Sequence, residues 1–331
     1  MSWARLSFRL QRWEIVFLTA GVALLAGAML WYAWQLIAVV AENPGCDPSA
    51  FTSGCEAVAR RYDEMRDFVT QFTNLTWAAP FGIGVILGVP LVAREIDHGT
   101  TQVAWTLSRS RIQWLAGRLV FPTLVVIGLL VALAITGEIL AAALFPQANL
   151  SEDFTWYGRR GSLLVARGLV ALGVSVLVGA ILGRLLPALL AAGFVTGIAF
   201  GGLTFGMDRW NEAEAVALPY GRDITGDLSL GERVVMTNGE VMTHLEMQRA
   251  GVASYAIGID GRIYVPPDGA VDFEGIDSPA DVGELIGQSH VLVIPAERYP
   301  EIVAREAAVL GGVAVLLGLG SGVVVHRRRP A

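Results

Sequence analysis

Apolar residues in this chain gather into six long runs separated by polar connections, at roughly Glu14 to Val40, Leu75 to Val92, Leu119 to Phe145, Ser162 to Gly183, Pro187 to Gly206 and Ile302 to Val325. A helix of roughly 20 apolar residues crosses a hydrocarbon core about 30 Å thick, so each run predicts a transmembrane helix. Arg5, Arg9 and Arg12 precede the first run, and Ala26, Gly27 and Ala28 lie within it, as in a cleavable leader. The run is longer than the roughly 7–15 residue apolar core of such a leader, which predicts a retained span. The polar stretch 207–300 carries a different pattern. Short alternating segments at Arg233 to Met236, Ala253 to Ile259, Arg262 to Val265 and His290 to Ile294 predict strands, with turns at Asn238-Gly239 and Asp260-Gly261 and a helix within Glu240 to Arg249.

These elements define an all-α polytopic membrane protein with six transmembrane helices and a small mixed α/β extracytoplasmic domain. The expected division is a transmembrane region at 1–206, an outer domain at 207–300, and a sixth span with a basic tail at 301–331. Within the first region, 41–74 is an outer loop and 93–118 a cytoplasmic one. Composition agrees: of 331 residues, 54% are apolar and 16% charged, and the mean hydropathy is +0.54. Net charge is −6, which offers nucleic acid no electrostatic attraction.

All 24 basic residues are arginine. Without lysine, this chain can form neither a phosphate-binding loop of the GxxxxGK[ST] type nor a kinase or Schiff-base site. Work that needs ATP must therefore draw on another chain. Arginine placement also orients the helices, since positive charge near span ends is retained on the cytoplasmic side. With the N-terminus inside, the cytosol receives the N-terminal arginines, Arg94, Arg109, Arg111, Arg118, Arg184 and Arg327 to Arg329. The short outer loops hold Arg60, Arg61, Arg66, Arg159 and Arg160. Both termini are then cytoplasmic.

Cys46 and Cys55 fall in the first outer loop. An oxidising compartment and a short loop favour a disulfide, with two free thiols or a fortuitous metal pair as the alternative. Glu138 and Arg167 are ionisable residues inside spans, where each costs roughly 2.5–3.5 kcal/mol to insert. Glu138 and Arg167 lie at similar depth toward the outer side, which predicts that they approach each other or share an aqueous vestibule; a static ion pair joining two helices is the simplest version. Glycines recur four apart at Gly84 and Gly88, Gly179 and Gly183, Gly193, Gly197 and Gly201, and Gly318 and Gly322, a pattern that allows close helix packing.

The connection between the second and third spans is the most informative. Pro90, Leu91, Val92, Ala93, Arg94, Glu95, Gly99, Thr100, Trp105, Ser108, Arg109 and Trp114 form a pattern that resembles the permease subunit of an ABC-2 type ABC transporter, in its actinobacterial style. Gly179, Gly183, Arg184, Pro187 and Ala188, then Pro295, Ala296, Arg298 and Tyr299, and the arginines at 327–329 extend the likeness. The resemblance implies that 94–118 holds a coupling helix seated on an ATPase subunit, with Arg94, Glu95, Gly99, Thr100, Arg109 and Arg111 as coupling residues. In that setting Glu95 caps or braces the helix, Gly99 lets the chain turn, and the arginines pair with acidic groups of the partner or, alternatively, serve topology and lipid contact. It also implies an interfacial helix at Trp3 to Trp13 and a pair of permeases with two ATPases. The second and fifth spans would line the translocation path, with Phe81, Ile83, Phe194, Thr196, Phe200 and Thr204 near it. An apolar, aromatic lining suits hydrophobic or amphipathic cargo. ATP and Mg2+ belong to the partner, and the chain itself needs no cofactor or metal.

Two other functions compete. A membrane sensor or scaffold would use the outer domain, which holds 6 arginines against 16 acidic residues, to bind a ligand or envelope partner. An intramembrane enzyme finds less support: His98, His244, His290 and His326 lack metal-ligand spacing, and Ser321, in Gly-Leu-Gly-Ser-Gly, has no identifiable base partner in the membrane. The expected role is the non-catalytic permease subunit of an exporter in a bacterial plasma membrane.

Overall fold

The computed structural model describes residues 3–46, 54–99, 110–146, 148–220, 222, 224–249, 256–257, 262–265 and 284–328. Among these residues, seven α-helices and six strands follow in the order α1 (Trp3–Glu42), α2 (Glu56–Asp97), α3 (Arg111–Leu144), α4 (Ser162–Leu182), α5 (Leu185–Glu214), β1 (Val216–Pro219), β2 (Leu228–Met236), β3 (Val241–Met242), α6 (His244–Arg249), β4 (Ala256–Ile257), β5 (Arg262–Val265), β6 (Glu284–Ile294) and α7 (Tyr299–Arg327). Among the described residues, six helices are long and apolar enough to cross a membrane, and the protein is a multi-pass membrane protein.

The chain divides into two compact units. One comprises 1–150, 156–202 and 301–331; the other comprises 151–155 and 203–300. The first is built around α1 to α4, whose buried Met29, Leu36, Leu87, Leu130, Leu133, Leu140, Leu164 and Leu172 form one apolar core. Helix α2 begins well before the apolar run that announces it, and Tyr62 explains how the extension is held. Its hydroxyl donates to the Ala143 and Leu144 carbonyls at 2.8 and 3.0 Å, which the end of α3 leaves without intrahelical partners. A disulfide joins Cys46 to Cys55 just before α2.

Small residues set the approach of α2 to α4. A Cβ on Gly84 would fall 2.6 Å from Ala171 Cβ, and one on Gly88 would fall 2.7 Å from Ser175 Cβ. Here the glycine spacing seen in sequence marks real helix contact. Around Gly193, Gly197, Gly201, Gly318 and Gly322, by contrast, nothing lies within 4 Å. Helix α5 buries the narrow stripe Ala188, Ala192, Thr196 and Phe200, while Leu186, Leu190, Phe194 and Ile198 are exposed. A four-residue stripe is one helix face, and the apolar remainder matches a lipid-facing surface.

The second unit carries an antiparallel sheet with the strand path β3-β2-β6-β5-β4. Strand β6 is its spine: β2 runs along one edge, while β5 and β1 share the other, at Glu284 to Gln288 and His290 to Val293 respectively. Asn238-Gly239 turns β2 into β3, Gly239 having φ +82°, a conformation that glycine adopts without strain. Val234, Met247 and Ile263 form a small core between sheet and α6. Thr243 and Glu246 close α6 reciprocally: Thr243 Oγ1 accepts from the Glu246 N–H, and Glu246 Oε2 accepts from the Thr243 N–H and hydroxyl. These hydrogen bonds, the backbone one first, hold the Glu246 carboxyl below the usual carboxylate range. Strands β1 and β3 were not expected from sequence.

Candidate functional site

Two polar systems stand out against the apolar unit, one at each end of its helices. The first gathers the start of α1, the end of α2, the start of α3, the ends of α4 and α7 and the start of α5. Successive residues leave a helix about 100° apart, so Arg94 and Glu95 on α2 reach different neighbours. Arg94 pairs with Glu14 on α1, and Glu95 pairs with Arg118 on α3. Glu95 and Arg118 are 9% and 5% exposed. The backbone of α1 departs from helical geometry at Gln11, whose amide donates to the Leu87 carbonyl at 3.0 Å. This carbonyl lies in the turn before Pro90, where the proline ring lacks an N–H and loosens the ladder.

Arginines then close the helix ends. Arg111 donates to the His326 and Arg328 carbonyls at 3.1 and 2.5 Å. Arg328 donates to the carbonyls of Ala180 and Ile181. Asp97 Oδ2 accepts from the Leu185 N–H at 3.3 Å. Each of these satisfies a backbone group that a helix terminus leaves open, with the charge sign that its dipole favours. The result is a lattice α1–α2–α3–α7–α4, with Asp97 adding α5.

Of the expected coupling residues, Arg94, Glu95 and Arg111 thus bond within the chain. Glu95 braces α2 against α3 through Arg118. Gly99 takes φ +69° just after α2, a turn that suits glycine. Thr100 and Arg109, with the rest of 100–109, lie outside the described residues.

The second system is at the opposite helix ends, and it corrects the expected pairing of Glu138 with Arg167. Glu138 accepts from Arg160 at 3.0 Å, and Arg167 pairs with Glu306 on α7 at 3.1 Å. Arg167 also donates to the Gly158 carbonyl at 2.6 Å, and the Tyr157 hydroxyl donates to Glu306. The connection preceding α4 supplies Arg160 next to Glu138, while the inward stripe Ile302, Glu306 and Leu310 of α7 brings Glu306 to Arg167. Two separate ion pairs replace one. Burial, reinforced by the Glu306 carboxylate, pushes the Tyr157 phenol well above the ordinary tyrosine value. Glu306 was visible in sequence as an acidic residue inside the sixth apolar run; Tyr157 gave no such signal.

The six translocation-path candidates separate. Phe81 and Phe200 meet edge to face, with ring centroids 4.3 Å apart. Ile83 turns into the apolar core, and Thr196 is buried. Phe194 and Thr204 are exposed.

A family model described as ABC-2 membrane transporter related matches residues 19–209, more than half of the chain. The chain belongs to this family. No curated protein and no solved structure matches it. The match to the ABC-2 family runs from within α1 into α5 and takes in the paired arginines at the ends of α2 and α3. It identifies the chain as a membrane transporter permease, in a family whose members are generally non-catalytic transmembrane subunits associated with ABC ATPases.

Proposed function

We propose that this chain is the permease subunit of an ATP-driven exporter of hydrophobic or amphipathic molecules, energised by a separate ATPase. The observation that carries this reading is the lattice of Glu14, Arg94, Glu95, Arg118, Arg111 and Arg328, which joins five helices at the end where the 100–109 connection emerges. A force applied to that connection reaches α2 through Arg94 and Glu95 and α3 through Arg111 and Arg118, and passes to α1, α4 and α7 without a gap. The absence of lysine supports assigning ATP and Mg2+ to the partner. In this reading Gly99, Thr100 and Arg109 lie at the contact, whereas Arg94, Glu95 and Arg111 relay displacement within the permease. Two copies act together, with both chain ends and the 93–118 loop in the cytosol of a bacterial cell, and Phe81 and Phe200 stand beside the path.

ATPase closure shifts a pre-existing balance between inward and outward arrangements, by as much as the partner binds one arrangement better than the other. The test is co-purification with an ABC ATPase co-expressed with the chain, followed by hydrolysis assays in nanodiscs. The wild-type permease is expected to change the partner's ATP turnover, and Glu95→Gln to weaken that change while leaving the complex assembled. An ATPase that neither binds nor responds to the chain would refute the proposal.

A further inference from the structure

A groove of about 510 Å3 opens between α3, α4 and α7, lined by Val131, Ile135 and Glu138, by Val165 and Leu169, and by Gly311. Ligand sites commonly measure roughly 300–1,000 Å3. Glu138 is the one ionisable residue in this lining. Its counter-ion, Arg160, is not part of the wall: its side chain is 2% exposed, while 39% of the Glu138 side chain stays accessible. Arg160 is also held by the Leu150 carbonyl at 2.7 Å. An entering molecule therefore meets a carboxylate framed by apolar side chains.

The walls come from membrane-spanning helices and suit an alkyl chain. The carboxylate suits a donor carrying positive charge, since charge-assisted hydrogen bonds are the strong ones, and a partly accessible carboxylate inside a span marks a candidate site. A phospholipid headgroup fits less well, because the lining has no arginine to receive its phosphate. We propose that the groove binds a long-chain amine, with its ammonium group on Glu138 and its tail along α3, α4 and α7.

The test uses the full chain in nanodiscs of neutral phospholipid with a diazirine-bearing long-chain alkylamine, and maps the crosslinked peptides. Crosslinks are expected on 131–138, 162–169 and 307–311. An unlabelled amine should compete for them at least tenfold better than an alcohol or a carboxylate of equal chain length. Gly311→Leu fills open space, since nothing lies within 4 Å of a Cβ there, and should abolish the crosslinks without changing thermal unfolding. Glu138→Gln should make amine and alcohol compete equally. If that variant does not fold because Arg160 is stranded, the wild-type competition and Gly311→Leu decide the matter. Equal competition by amine and alcohol would reveal ordinary lipid solvation and overturn the proposal, as would preference for the carboxylate or labelling that persists in Gly311→Leu. No ATPase takes part, so failure here is distinct from failure of the transporter reading.

Discussion

Replacing Arg167 by Met removes one member of a pair whose side chains are 12% and 11% exposed. Glu306 would then keep a buried charge that has lost its bonded guanidinium and retains the Tyr157 hydroxyl. Stranding one partner of a buried ion pair costs about 3–5 kcal/mol, and the lost bond to the Gly158 carbonyl adds about 1 kcal/mol. Glu306→Gln strands the guanidinium instead and costs a similar amount. In the double variant neither charge remains, and the cost falls to about 1–2 kcal/mol, chiefly the Gly158 bond and imperfect packing. The double variant should therefore unfold closer to the wild type than either single variant. Intrinsic tryptophan fluorescence during thermal unfolding, in one detergent at one concentration, completes the cycle. If the two single costs simply add, the pair is solvated and the reasoning fails.

Further outcomes follow from other parts of the fold. Gly88→Leu should destabilise the membrane unit by several kcal/mol through collision with Ser175 on α4, whereas Gly193→Leu, in open space, should be nearly silent; parallel melting curves compare them. Cys46 and Cys55 are nine residues apart, and closing so short a loop contributes about 2.5–3 kcal/mol in the chain-entropy treatment; reduction should lower the melting temperature of the wild type and leave Cys46→Ser/Cys55→Ser unchanged. Because Tyr157 titrates higher folded than unfolded, its contribution is present below the ordinary tyrosine value of about 10 and lost as pH rises above it. Tyr157→Phe should flatten that alkaline loss in a pH series of melts.

The six spans were legible because lipid demands long apolar runs, which no other local arrangement imitates. The strand pattern at 228–236 and 284–294 was partly legible through alternation and the Asn238-Gly239 turn. Ion-pair partners were not. Depth alone suggested Glu138 with Arg167, but depth leaves the helix face undetermined, and Arg160 and Glu306 occupied the relevant faces. Glu95 and Arg118 stand 23 residues apart on different helices, so their meeting depends on the α2–α3 packing rather than on any local spacing. The glycine ladders show the same limit: identical four-residue spacing packs α2 on α4 at Gly84 and Gly88 yet leaves Gly193 and Gly197 open. Spacing states which residues share a face; only the neighbour decides what that face meets.

The most direct measurement concerns the connection after α2. The sequence has only two cysteines, both in the disulfide, so Arg109→Cys introduces a single free thiol. A membrane-impermeant maleimide should label it in inside-out vesicles and not in intact cells, and the co-expressed ATPase should protect it. Labelling from the outside of intact cells, or no protection in an assembled complex, would contradict a permease driven through this loop by a cytosolic partner.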